Sequence, residues 1–408
     1  MKPENREEMQ KQDNTPEDNL KTGGQGKGTE MDTLRERIDA IDDRIIADFT
    51  ERMKTVVEIA KYKSDAGLSI YDGARERSKL NYVAENTPED LQSYTRVLFS
   101  LLFELSRSYQ HMLINPSSEL KDRIEETLRS THPMFPQKAT VACQGLEGAY
   151  SQLAAEKLFK FPSIIYFNNF EGVFSAIEKG FCSYGVLPIE NSTAGSVYSV
   201  YDLMAKHNFN IVRSVRLKVD HSLLVKPGTE LGDIKEVYSH EQAINQCEGF
   251  LKSLASVKVN VCENTAAAAK LVAESDRKDV AALSSGSCAP IYGLKSLKSS
   301  VQDKGNNYTR FICISKEPQI YAGADRTSLM ISIAHKPGSL YKVLSRFFAL
   351  GINLTKLESR PIPDRDFEFM FYFDLEASVY SPEFARLIVE LEGLCDDFQY
   401  LGSYSEIV

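Results

Sequence analysis

Arg52 and Lys63 stand where an amphipathic helix should bury carbon. Leu34, Ile38, Ile41, Ile45, Val56 and Ile59 recur at threes, fours and sevens. At 100° per residue the two cations fall within about 20° of the direction shared by Leu34, Ile41, Ile45 and Ile59. A cation left unpaired there costs on the order of 3–5 kcal/mol, so the fold must supply a carboxylate or a ligand must. Snorkelling, or an ion pair with Asp72 or Glu76, accounts for either cation alone. Two in register point to an anionic ligand in a dry pocket. Ser106 and Gln110, one turn apart beside Phe99 and Phe103, offer uncharged groups to orient it, and core hydrogen bonding accounts for that pair equally well. Arg35 lies about 100° from Arg52 around the helix, out of reach of the same pocket in its own chain but available to a partner chain.

A second set of polar residues sits at the ends of apolar runs. Gly145-Leu146-Glu147-Gly148-Ala149-Tyr150-Ser151 opens a helix after a strand-like run. Its glycines let backbone N–H groups approach an anion, with a tight turn capped by Ser151 as the competing account. The spacing is not that of a dinucleotide fingerprint. Pro188-Ile189-Glu190-Asn191-Ser192 and Ser239-His240 follow strands, where sites of α/β proteins lie. Asn307-Tyr308-Thr309-Arg310-Phe311 puts a hydroxyl beside a cation. Each alone is ordinary turn chemistry.

The elements that must carry these residues follow from pattern. Thr33-Leu34-Arg35-Glu36 reads as a capping box, and no Pro or Gly intervenes before Gly67, so one helix of about 50 Å is expected. Its length calls for a partner helix, from this chain or from a second copy of it. A short helix over 72–85 and another opening at Thr87-Pro88-Glu89-Asp90 and running to about Leu113 complete an all-helical region. Residues 116–137, with Pro116, Pro133 and Pro136, have room for a short helix but read as a linker. Short apolar runs then alternate with helical patterns over 138–318, predicting α/β units around a mostly parallel sheet, long enough for two lobes and a cleft. Residues 326–408 read strand, helix, strand, strand, helix, strand: the ferredoxin-like order.

Composition narrows the partners. The chain has 408 residues, 42% of them hydrophobic, which suits a multidomain globular protein. A net charge of −9 argues against nucleic acid and anionic membranes and moves small molecules up. Seven cysteines without a C-x-x-C pair indicate neither a zinc cage nor a disulfide framework, and a reducing cytoplasm fits. No apolar run approaches membrane-helix length, and residues 1–30 read as a disordered tail.

In combination the residues resemble known families. Leu34-Arg35-Glu36-Arg37-Ile38-Asp39-Ala40-Ile41-Asp42, Arg52, Lys63, Asp72, Arg75-Glu76-Arg77, Ser106 and Gln110 resemble the all-helical chorismate mutases fused to prephenate dehydratase, across about residues 31–115. The resemblance implies an intertwined homodimer with Arg35 entering the other subunit's site. It has Arg35 and Arg52 hold the substrate carboxylates, Lys63 and Gln110 meet the ether oxygen, Asp72 and Glu76 meet the ring hydroxyl and its surroundings, and Arg75 and Ser106 complete the carboxylate contacts. A Claisen rearrangement needs no nucleophile, only a held conformer and stabilised charge on the breaking ether oxygen.

Gly-x-x-Gly-Ala-Tyr-Ser, Pro-Ile-Glu-Asn-Ser, Asp220-His221-Ser222-Leu223, Ser239-His240 with Gln242 and Gln246, Glu263 with Thr265-Ala266-Ala267, and Asn-x-Thr-Arg-Phe closely resemble prephenate dehydratase. This implies two lobes like a periplasmic binding protein with prephenate between them. Thr309 would protonate the departing hydroxyl as carbon dioxide leaves. Glu190, Asn191, Ser192, Ser239, Gln246, Glu263, Arg310 and Phe311 would position the substrate or Thr309.

Gly338-Ser339-Leu340 and Glu358-Ser359-Arg360-Pro361 look like the regulatory ACT domain of these enzymes, implying phenylalanine as allosteric inhibitor between paired ACT domains and a possible tetramer. No metal or cofactor is expected. Two other readings stay open: a dehydratase whose helical domain only dimerises, and a non-catalytic sensor of small acids.

Overall fold

The computed structural model describes residues 26–114, 118–254, 257–362 and 368–408. They form two compact units, one ending at Gln110 and one spanning His111–Val408.

The first unit is helical: α1 (Gly26–Asp65), α2 (Gly73–Glu85) and α3 (Gln92–Ile114). Gly67, at φ 62°, turns the chain after α1, and the Asp72 carboxylate caps α2 by accepting the Arg75 N–H at 2.9 Å. The first helix begins earlier than the capping box at Thr33 predicts. Inside it the Thr33 hydroxyl donates back to the Thr29 carbonyl at 2.9 Å. The expected tail therefore loses 26–30 to α1, and its remainder lies outside the described residues. Val56, Ala60, Val83 and Ala84 are buried, whereas Leu34, Ile38, Ile41 and Ile45 remain 40–58% exposed. Among the described residues of one copy, the apolar stripe is left half-exposed.

The second unit opens with α4 (Glu119–Ser130), capped by Ser118, inside the stretch expected to be a linker. Leu120, Ile124 and Leu128 recur at helical spacing and pack with Leu387, Ile388 and Leu391, so this segment is part of a core.

There follow β1 (Lys138–Gln144), α5 (Tyr150–Leu158), β2 (Phe161–Phe167), α6 (Phe170–Glu178), β3 (Tyr184–Asn191), β4 (Gly195–Ser196), α7 (Tyr198–Lys206) and β5 (Asn210–Lys218). The chain then crosses to β6 (His221–Val225), β7 (Glu236–Ser239), α8 (Glu241–Gln246), α9 (Glu248–Ser253), β8 (Lys258–Val261), α10 (Thr265–Glu274), β9 (Val280–Ser285), α11 (Cys288–Ile291) and β10 (Lys295–Lys298). It returns as β11 (Tyr308–Ser315).

Two lobes result, joined by two crossovers. Among the described residues one sheet has the order β10-β6-β9-β7-β8 and the other contains β5-β11-β3-β1-β2. The sheets are mixed rather than mostly parallel, because β11 returns antiparallel between β3 and β5, and β6 pairs antiparallel with β9.

The last elements are β12 (Arg326–Ser332), α12 (Ser339–Ala349), β13 (Asn353–Pro361), β14 (Phe369–Glu376), α13 (Pro382–Glu392), β15 (Asp397–Tyr404) and β16 (Glu406–Ile407). The antiparallel order β13-β14-β12-β15 is ferredoxin-like, with both helices on one face over Leu329, Ile331, Phe373 and Leu375. On the other face Met330, Tyr372, Leu401 and Tyr404 share a core with Leu187, Tyr201, Ile211 and Ile312 of the first lobe. Strand β16 then joins the first lobe's sheet alongside β5. Gly402, at φ 136°, lies where any Cβ would collide with the Ile211 carbonyl.

Candidate active sites

In the helical unit α1 and α3 bring Arg52 and Ser106 together. Arg52 Nη1 donates to the Ser106 hydroxyl and, at 3.2 Å, to the Leu102 carbonyl, and burial lowers its pKa. Lys63 Nζ donates to the Ile70 carbonyl at 2.6 Å. Among the described residues no carboxylate pairs with either cation. The acid that the stripe seemed to require, Glu76, instead pairs with Arg107, which also reaches Glu104 and lies 5.4 Å from the Tyr71 ring centroid.

Arg107 was missed because an i,i+3 Glu–Arg pair on a helix reads as surface decoration. Gln110 is buried, with Nε2 on the Ser106 carbonyl at 3.3 Å and Oε1 without a partner. Asp72 is engaged as the α2 cap, and Arg75 is exposed one turn away. Arg35 stands clear of this group, its side chain 71% exposed and paired with Asp32 at 3.3 Å on its own helix.

The second site is a cleft of about 500 Å³ between the two lobes. Pro188, Asn191, Thr309 and Phe311 line it from β3 and β11; His221, Gln246, Glu263 and Thr265 line it from the other lobe. Thr309 and Phe311 share a face because strand side chains alternate, and Thr309 sits opposite Asn191 in the β11–β3 ladder.

Backbone donors fix the orientation of the amides there. The N–H groups of Thr193 and Ala194 donate to Asn191 Oδ1 at 3.0 and 2.9 Å, so Asn191 Nδ2 must face the other way. It donates to Thr309 Oγ1 at 2.9 Å and to Asn307 Oδ1 at 2.8 Å. Asn307 Nδ2 then donates to Gln246 Oε1 at 2.9 Å, and Gln246 Nε2 to Thr193 Oγ1 at 3.0 Å. With its oxygen occupied by a donor, the Thr309 hydroxyl keeps its own proton for the cleft. Thr193 was not singled out and Asn307 was noted only within its segment, because Gln246, the partner that joins both into the ring, lies 53 and 61 residues away.

Four expected positions face elsewhere. Arg310 is adjacent to Thr309 on a strand and so points to the opposite face, where it is 4% exposed. It pairs there with Asp374 of β14 and, at 3.0 Å, with Glu190 of β3. Burial disfavours its charge, but Asp374 and its other neighbours hold its pKa well above the ordinary value. Glu190 shares this face and also meets Lys356 at 3.2 Å. Ser192 stitches β3 to β11 by accepting the Tyr308 N–H at 2.9 Å. Ser239 is fully buried and donates to the Leu283 carbonyl at 2.7 Å.

The C-terminal motifs divide in the same manner. Ser339 and Leu340 line a hollow of about 340 Å³ with Ile333, Phe369 and Phe371, next to the left-handed Gly338 at φ 85°. Ser359 and Pro361 pair with Phe371 and Phe369 across the ladder. Glu358 and Arg360 point to the opposite face: Glu358 accepts the Ser196 hydroxyl at the cleft wall, and Arg360 grips Asp202 with two bonds of 2.8 Å over the Tyr198 ring.

The sequence matches the family model for chorismate mutase type II over residues 34–111 and that for prephenate dehydratase over 141–319. It is 32% identical to the bifunctional chorismate mutase/prephenate dehydratase of Escherichia coli, covering 91% of this chain and 95% of that one. It is 39% identical to an arogenate dehydratase/prephenate dehydratase of Arabidopsis thaliana, over 65% and 73%. Among solved structures, prephenate dehydratase of Arthrobacter aurescens in complex with L-Phe aligns with a TM-score of 0.60 at 26% identity, over 65% and 89%. GqqA, described as a novel type of quorum quenching acylase, aligns with a TM-score of 0.60 at 31% identity, over 65% and 97%.

Proposed function

We infer that this chain, which belongs to the bifunctional chorismate mutase/prephenate dehydratase family, carries out its two consecutive reactions at two separate sites. Chorismate rearranges to prephenate in the helical unit, and the cleft turns prephenate into phenylpyruvate. The observation that carries the site assignment is the amide ring, whose Asn191 Nδ2 donates to Thr309 Oγ1 in the cleft and so leaves that hydroxyl free to donate its own proton.

In the helical unit the substrate's carboxylates supply the anions that the protein withholds from Arg52 and Lys63. Arg52, braced by Ser106, takes one carboxylate; Arg35 of a second copy takes the other. Lys63 and the second N–H of Gln110 meet the ether oxygen as its charge develops, and Glu76, held in place by Arg107, accepts the ring hydroxyl. A few charge-assisted contacts at about 1.5–3 kcal/mol each, with conformer selection, reach the roughly 8 kcal/mol that a millionfold rate requires.

In the cleft Thr309 donates its proton to the ring hydroxyl of prephenate. The carboxylate leaves as carbon dioxide, its bonding pair enters the ring, the ring becomes aromatic and water departs. Solvent returns one proton to Thr309, so the reaction consumes one proton per turnover. Aromatisation drives both departures, so a weak acid held in place suffices. Glu263 at the mouth and Phe311 on the wall bound the substrate.

Residues 326–408 are assigned as an ACT domain that binds phenylalanine in the hollow by Ser339 and Leu340, with Ser359 and Pro361 beside it. Feedback follows if the ligand binds the inhibited state more tightly. The uncovered stripe on α1 supports a homodimer through the helical unit, which would gain about 3–6 kcal/mol per chain from covering four half-exposed side chains. ACT pairing would extend it to a tetramer. No described helix is long and apolar enough to cross a membrane, and the thiols are free, which agrees with a cytoplasmic enzyme.

The test is direct. Purified protein given chorismate consumes it, releases phenylpyruvate and slows when phenylalanine is added; chorismate persisting unchanged removes the mutase assignment.

A further inference from the structure

His221, at the start of β6, faces the amide ring from the other lobe and is 3% exposed. Its Nε2 lies 3.0 Å from Gln246 Oε1. That oxygen has no proton to give, and the orientation of Gln246 follows, bond by bond, from the two backbone N–H groups on Asn191. Nε2 must therefore be the donor, which leaves Nδ1 bare; it is buried and has no partner. The ring is held edge-on to Tyr150, 6.2 Å between centroids at 87°, and the Tyr150 hydroxyl donates to the Asp220 carbonyl at 2.6 Å.

We propose that His221, as the neutral Nε2–H tautomer, is a positioning residue for the dehydratase: it holds Gln246 at the far end of the ring whose near end the backbone N–H groups on Asn191 hold, so that the donor direction ending on Thr309 is locked from both ends. The inference rests on reading Thr309 as the proton donor. Without the imidazole N–H, Gln246 can flip its amide and turn Nε2 toward Asn307. Asn307 then flips to accept, its Nδ2 confronts Asn191 Nδ2, and Asn191 is driven off Thr309. An aimed proton becomes a rotating hydroxyl. Burial favours the neutral ring by lowering its pKa, and protonation would add an N–H with no acceptor.

The expected signature is a fall in kcat with little change in KM, because His221 acts on Thr309 through three amides. With prephenate and the full-length protein, His221→Phe should lower dehydratase kcat on the order of tenfold or more while KM stays within about threefold. His221→Gln, which restores an N–H donor, should recover most of that loss. Mutase activity of the same preparations should be unchanged. A His221→Phe/Gln246→Ala double variant should be no slower than Gln246→Ala alone.

Wild-type kcat in His221→Phe, a rise in KM alone, or additive losses in the double variant overturn the proposal. Should His221→Phe not fold, nitrogen-15 NMR of the wild-type imidazole decides: the proton on Nε2 is required, and a proton on Nδ1 rejects it. Thr309→Val separates the two layers. If that variant keeps full dehydratase activity, the reading of Thr309 fails; if it is inactive while His221→Phe is normal, only the role of His221 fails.

Discussion

The two sites solve opposite problems with opposite materials. In the helical unit Arg52 and Lys63 are cations without acidic partners among the described residues, held by a hydroxyl and by carbonyls. In the cleft the groups around Thr309 are neutral amides, and the nearby charge, Arg310, is turned away and neutralised. A pericyclic step moves electron density and wants a field; a dehydration must hand one proton to one oxygen and wants direction. The sites also differ in completeness. The cleft is lined from a single chain, whereas Arg35 stands clear of the helical site and the α1 stripe is exposed in one copy.

The strongest way to break this contrast is to exchange the losses. Arg52→Ala should lower mutase kcat/KM by about a hundredfold or more and spare dehydration of supplied prephenate, while Thr309→Ala should do the reverse. A folded variant that loses both activities would merge the two sites.

Next in size is Arg310→Met, which strands Asp374 in the core and should cost about 3–5 kcal/mol in denaturant unfolding, with the KM of the surviving folded enzyme little changed. A large KM rise without destabilisation would return Arg310 to the substrate.

A double Ile38→Asp, Ile45→Asp variant should shift sedimentation toward monomer and reduce mutase activity about tenfold or more, leaving the dehydratase intact. Retained mutase activity in a monomer would make the first site complete in one chain.

The smallest effect is on pH. Burial lowers the His221 pKa below the ordinary 6.5. Below pH 6.5 the unfolded chain binds that proton first, so stability falls as the solution is acidified. Melting scans at pH 7.5 and 5.5 should differ less in His221→Phe than in wild type.

Much of this was legible in the sequence, and the failures have physical causes. The βαββαβ order and the three helices followed from periodicity, because a buried face repeats at a fixed interval. Thr309, Asn191 and Gln246 stood in recognisable segments. Arg310 faces away from the cleft and pairs with Asp374 and Glu190, an orientation that strand alternation next to Thr309 already implies. Ser192 and Ser239 carry hydroxyls that serve ladder and sheet, a distinction invisible without the fold. The prolines flanking α4 made a stretch with room for a short helix read as a linker, although Leu120, Ile124 and Leu128 kept helical spacing. The mixed sheets were misread because β11 inserts between β3 and β5 from 117 residues beyond β3, counted from Asn191 to Tyr308. No local pattern encodes such a pairing.

Strand β16 sets a schedule for synthesis. Ile407 lies against Val215 in the sheet that carries Thr309, and Glu406 bonds Arg216 at 2.8 Å. Translated from the N-terminus, the helical unit has its whole sequence outside the ribosome long before that sheet can be finished. The dehydratase sheet must hold β5 as an open edge until residues 406–407 emerge. Stalled or shortened chains would thus present β5 as a bare strand edge, open to pairing with other chains.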